Sequence, residues 1–123
     1  MTHPFLVAAG ALAALWLLVH VFVGGRQIAQ PLVAATALDP LVRHTQYLCW
    51  HFTTVAIACM SGFLLWAAYS GDLAYAVAGT VLALGFFTVG VGLVLYLKDS
   101  HIRLPQGWLF LPVALLGILG LVQ

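Results

Sequence analysis

Four apolar runs, each near the length that crosses a lipid bilayer, occupy most of this 123-residue chain. They lie at about 4–24, 45–69, 73–97 and 107–122. Roughly 20 residues of α-helix span a hydrocarbon core of about 30 Å, so each run reads as a transmembrane helix, the fourth being the shortest. The runs lack the polar–apolar alternation of a membrane β-barrel, which argues against strands.

Composition excludes a soluble reading. Charged residues make up 6% of the chain, where ordinary soluble domains carry about 25%. With 4 basic and 3 acidic side chains, the chain cannot cover a soluble surface or form the basic patch of a nucleic-acid binder. The expected fold is an all-α integral membrane protein. It is one domain, an antiparallel bundle of four transmembrane helices, with the lipid bilayer as its partner and no nucleic acid. The leading run is not expected to be a cleaved signal peptide. No basic segment precedes it, and it ends in Gly24-Gly25-Arg26 instead of a small-residue cleavage site.

The connections carry their own signals. Ser70-Gly71-Asp72 predicts a tight turn between antiparallel neighbours. Asp39-Pro40 reads as an N-cap followed by proline at the first helical position, so the second helix is expected to start at Pro40, outside the bilayer core. Residues 27–38 are expected to lie along the interface as a short helix or turn. Arg26 and Arg43 fall in the first connection and Lys98 and Arg103 in the third, with no Lys or Arg on the other side. Basic residues mark cytoplasmic connections. Both termini are therefore expected on the non-cytoplasmic side of a plasma membrane such as the bacterial inner membrane.

Small residues recur at helical spacing: Thr54, Ala58 and Gly62; Gly79 and Ala83; Gly85, Thr88 and Gly92; Gly117 and Gly120. Such stripes predict faces along which membrane helices approach closely. Cys49 and Cys59 are separated by about 15 Å of helix rise, too far to bridge. Both read as small buried hydrophobes.

The polar side chains crowd one end. His20, His44, His51 and His101 fall there with Arg26, Arg43, Asp39, Lys98, Asp99 and Arg103, and only His3 falls at the other. His20 and His51 lie within hydrocarbon depth, roughly 6 Å and roughly 10 Å from the ends of their spans. An ionisable side chain inside a span points to function. His51 shares the face of Thr54, Ala58 and Gly62, and is expected to point into the bundle and meet His20. Two readings stay open: a joint site, or neutral imidazoles bonding across helices to Thr or Gln.

As a joint site, His20 and His51 could hold a transition metal or a haem iron. Arg26 and Arg43 would then pair with propionates, and glycine-rich walls would lie beside the flat ring. His44 and His51 are about 10 Å apart along one face and cannot share a metal ion. Cys49 projects from a different face. Arg26 reads either as an anchor to anionic headgroups or, with Arg43, Gln27 and Gln46, as part of an anion, quinone or headgroup pocket.

Two function classes are disfavoured. The chain has no Glu, and Asp39, Asp72 and Asp99 all fall at connections. A carboxylate-driven antiporter would lack its mid-membrane exchange group. No hydrolase motif is legible. The leading expectation is a membrane binding module. Its cytoplasmic-end pocket, built from His20, His51, Arg26 and Arg43, would hold a small ligand, lipid headgroup, quinone or metal cofactor. One alternative is a redox subunit with haem or a transition metal on His20 and His51. The other is an accessory subunit, in a homo-oligomer or a larger membrane complex, whose histidines only bond across helices.

Overall fold

The computed structural model describes residues 3–122. They form four helices and, among the described residues, no strand: α1 (Pro4–Ala34), α2 (Pro40–Ser70), α3 (Leu73–Leu97) and α4 (Gln106–Leu121). The first three are long and apolar enough to cross a membrane; α4 is apolar but shorter. α1 packs against α2 and α4, and α3 packs against the same two, so the helices close a four-sided all-α bundle.

Local chemistry sets most of the helix ends. Asp39 caps α2, its carboxylate accepting from the N–H groups of Leu41 at 2.9 Å and Val42 at 3.4 Å. Pro40, which has no N–H to leave unpaired, takes the first helical position. α2 ends at Gly71, whose φ of 74° is a left-handed conformation that glycine adopts without a Cβ penalty. Asp72 then caps α3 by accepting from the Ala74 N–H at 2.9 Å.

The first helix departs from the expected division. It does not stop at Gly24 but continues to Ala34, taking in most of the segment expected at the interface. Between Val19 and Ala29 its turns widen to π-helical pairing. The Gln30 N–H, just before Pro31, bonds back to the Gly25 carbonyl five residues earlier. A proline crowds the carbonyl four residues back and cannot donate to it. The i→i+5 register brings the helix past that obstacle without a break.

Buried side chains concentrate at the end that holds the Ser70–Asp72 turn. α1 contributes Leu6, Ala9, Gly10 and Ala13, and α2 contributes Met60, Ser61, Leu64, Ala67 and Ala68. α3 adds Ala76, Gly79, Thr80 and Ala83, and α4 adds Val113, Ala114, Gly117 and Gly120. In lipid no hydrophobic force draws helices together, so close approach and interhelical hydrogen bonds hold the bundle. Leu6, Met60, Leu64 and Val113 fill the space beside these small residues, and Ser61 Oγ donates to the Gly10 carbonyl at 2.9 Å.

Toward the basic end the packing loosens. α3 and α4 still meet backbone to backbone at Gly90 and Gly107, where an added Cβ on Gly90 would lie 2.5 Å from the Gly107 Cα. Residues 14–28 of α1 and 40–56 of α2, by contrast, include no buried side chain. The bundle is closed at one end and open at the other.

The small-residue stripes divide along the same line. Gly79, Ala83, Gly117 and Gly120 are buried. Ala58, Gly62, Gly85, Thr88 and Gly92 are exposed, and the three glycines among them have open space where a Cβ would stand. The packing face of α2 is instead that of Ile57, Met60, Leu64 and Ala67. Cys49 and Cys59 are free and exposed, not buried as expected. In a bilayer a thiol behaves as a small hydrophobe and needs no cover from the protein.

Candidate functional site

Where the bundle opens, a groove of about 1100 Å³ runs between all four helices. Its walls are aromatic, aliphatic or glycine: Trp16, Trp50, Ile57, Phe86 and Phe110, with Gly85, Gly90 and Gly107. Polar side chains enter it at His20, Gln27 and Thr53, and from the α3–α4 side at Arg103 and Gln106. Sites for small molecules commonly measure about 300–1,000 Å³ and are mostly apolar with a few polar groups. This groove has that composition and is slightly larger than that range.

The α3–α4 connection is folded against the groove mouth. Trp108 Nε1 donates to His101 Nδ1 at 3.1 Å, which ties the connection to the start of α4. Arg103 pairs with Asp99 at 3.4 Å. The arginine side chain is 78% exposed, so this ion pair fixes its position only weakly.

His20 stands on the α1 wall. Its ring stacks on Trp50, with centroids 3.9 Å apart and planes 16° from parallel. Its Nε2 lies 3.0 Å from Thr54 Oγ1. Thr54 Oγ1 in turn donates to the Trp50 carbonyl at 3.1 Å. Trp50 also covers Gly24, one turn beyond His20, where an added Cβ would lie 2.6 Å from the indole ring. A stack and a cross-helix hydrogen bond thus join α1 to α2 at this level. Of the two readings of His20, the bond across helices to a threonine is the one observed.

His51 lies elsewhere. It is exposed, with its edge against Tyr47 at 4.6 Å and 81°. It lines a second groove of about 590 Å³ between α1 and α2, together with Arg26, Gln30 and Tyr47. His20 lines only the larger groove, and Trp50 lines both. The two histidines expected to meet are therefore on different grooves. The stripe expected to carry His51 inward turns outward beyond Thr54, because packing at Ile57, Met60 and Leu64 sets the rotation of α2.

The remaining candidates scatter. Arg26 is exposed on the smaller groove. Arg43 lines neither groove, and its Nε is buried without a hydrogen-bond partner. His44 is exposed outside both. Among the described residues no three His, Cys, Asp or Glu side chains come together to hold a metal ion.

The site expected from the sequence included neither Trp16 nor Trp50. The spacing was present: Trp16, His20 and Gly24 fall four apart on one face of α1, and Trp50 and Thr54 four apart on α2. No protein-family model, curated protein or solved structure matches the chain.

Proposed function

We propose that this protein is a membrane-embedded binding module for a bilayer-resident amphiphile. The apolar body of the ligand lies in the larger groove, and its head lies toward His20, Gln27 and Arg103. The observation that carries the reading is the asymmetry of the bundle. Small residues and large apolar side chains close it tightly at one end, while aromatic walls and the unfilled position at Gly85 leave it open at the other. A bundle that served only to pack would gain van der Waals contact by closing both ends. The polar groups fall at the open end, where an amphiphile's head would lie. The four basic residues, all at this end, support placing it in the cytoplasmic half of a plasma membrane.

Gly85→Phe tests the reading. Gly85 lines the groove and a Cβ there meets nothing within 4 Å, so the new ring can fill the groove without displacing backbone. Native mass spectrometry of protein purified in mild detergent should find the wild type carrying a bound amphiphile and Gly85→Phe without it, at equal helix content. Equal occupancy in the two proteins would overturn the proposal. So would a bare wild type whose melting temperature ignores added quinones and phospholipids.

A further inference from the structure

The smaller groove, of about 590 Å³, lies between the later part of α1 and the early part of α2. Arg26 and Gln30 line it from α1, and Tyr47 and His51 from α2. Tyr47 and His51 stand edge to face with ring centroids 4.6 Å apart, so they share one patch of wall. Each of the four side chains can donate a hydrogen bond, and no carboxylate lines the groove. The carboxylates of the chain are engaged elsewhere: Asp39 and Asp72 cap helices, and Asp99 pairs with Arg103. Arg26 therefore has no counter-ion among the described residues. Gly25, on the same wall, has nothing within 4 Å of where a Cβ would stand, which leaves the groove open there.

Depth narrows the kind of anion that would answer it. Arg26 lies roughly 30 Å along α1 from Pro4, and His51 lies roughly 30 Å along α2 from Ser70. A hydrocarbon core is about 30 Å thick, so both stand at its boundary, the level of lipid phosphates. Val21 and Phe22, about one turn deeper on the same groove, are apolar and suit the start of an acyl chain. A guanidinium holds a phosphodiester through two parallel N–H groups, and charge-assisted bonds of this kind are the strong ones. Basic pockets between membrane helices on the cytoplasmic side take anionic lipid heads. A zwitterionic lipid would bring its choline to a groove with no carboxylate to receive it, which sets a preference for net negative charge. We infer that the smaller groove is a site for one anionic phospholipid, its phosphodiester held by Arg26 with hydrogen bonds from Gln30, Tyr47 and His51. The site is separate from the larger groove and does not rest on what that groove holds.

The test is native mass spectrometry of the full chain, delipidated in mild detergent and titrated with dioleoylphosphatidylglycerol or dioleoylphosphatidylcholine. The first phosphatidylglycerol should bind about tenfold more tightly than the first phosphatidylcholine. Arg26→Gln, and Gly25→Leu, which fills the open wall, should each remove most of that preference. Neither position is buried, so both variants should keep the helix content of the wild type. Lys98→Asn removes a charge from the same end of the molecule and should retain the preference; asparagine tolerates the left-handed backbone there, at φ 54°. Gly85→Phe, which fills the larger groove, should retain it too. Equal affinity for the two lipids or an unaffected Arg26→Gln would overturn the inference. An equal loss in Lys98→Asn would overturn it by reducing the effect to general surface charge, and loss in Gly85→Phe with Gly25→Leu unaffected would overturn it by moving the lipid to the larger groove. Excess inorganic phosphate should leave the lipid in place; displacement would make the occupant a free anion and overturn the lipid assignment.

Discussion

At the scale of single residues, Thr54 is the link between the two long helices where no buried apolar seam joins them. Its hydroxyl is hydrogen-bonded to His20 on α1 and lies in reach of its own helix's carbonyl at Trp50. Cross-helix hydrogen bonds in membrane bundles average about 0.6 kcal/mol, because the separated helices also find partners in the membrane. Thr54→Val should therefore cost about 0.5–1.5 kcal/mol, measured by reversible unfolding in mixed detergent, while Thr54→Ser should stay close to wild type. A loss above about 3 kcal/mol would mean that the contact carries more than a hydrogen bond. That His20 merits attention was legible from its depth in an apolar run. Its partner was not. Trp50 and His51 are neighbours whose directions differ by about 100°, and which one faces α1 depends on the rotation of α2. Large side chains about two to four turns further along set that rotation, and no local pattern at Trp50 reveals it.

At the scale of helices, capping and turn chemistry were readable where they were local. Asp39-Pro40 and Ser70-Gly71-Asp72 each place a boundary within two or three residues, and the structure puts the helix ends there. The C-terminal end of α1 was not readable in the same way. Gly24-Gly25 resembles a stop, yet the helix runs on to Ala34 because widened turns absorb the proline and Trp50 takes up the space over Gly24. Small-residue stripes were ambiguous for a related reason, since a glycine serves equally to admit a neighbour or to leave a wall flat. Substitution separates the two cases. Gly90→Ala should destabilise the protein by about 1–3 kcal/mol, because its methyl meets the backbone of α4 at the Gly90–Gly107 crossing. Gly62→Ala and Gly92→Ala face open space and should be neutral or stabilising by up to about 1 kcal/mol. Thermal melts of the three variants in one detergent would check the order; a harmless Gly90→Ala would show that α3 and α4 do not meet as described.

At the scale of the whole molecule, helix lengths and packing together produce the open end. α1 and α2 each have 31 residues, about 46 Å of helix, while α4 has 16, about 24 Å. The shorter α4 meets α3 at Gly107 and leaves the basic ends of α1 and α2 facing mainly each other. That end carries every Lys and Arg of the chain, so it should face the cytoplasm. With Cys49 and Cys59 replaced by alanine, Ser100→Cys should resist a membrane-impermeant thiol reagent applied to intact cells, and Ser70→Cys should react. The reverse pattern would invert the orientation. The most direct test of the central claim, that the open end is a binding groove, is photolabelling with an alkyl-tailed azidoquinone followed by peptide mapping. The account predicts label on the groove walls, within 16–28 of α1 and 81–90 of α3, and its loss in Gly85→Phe. Label spread over all the lipid-facing surfaces, or concentrated at the closed end around Met60 and Gly117, would contradict it.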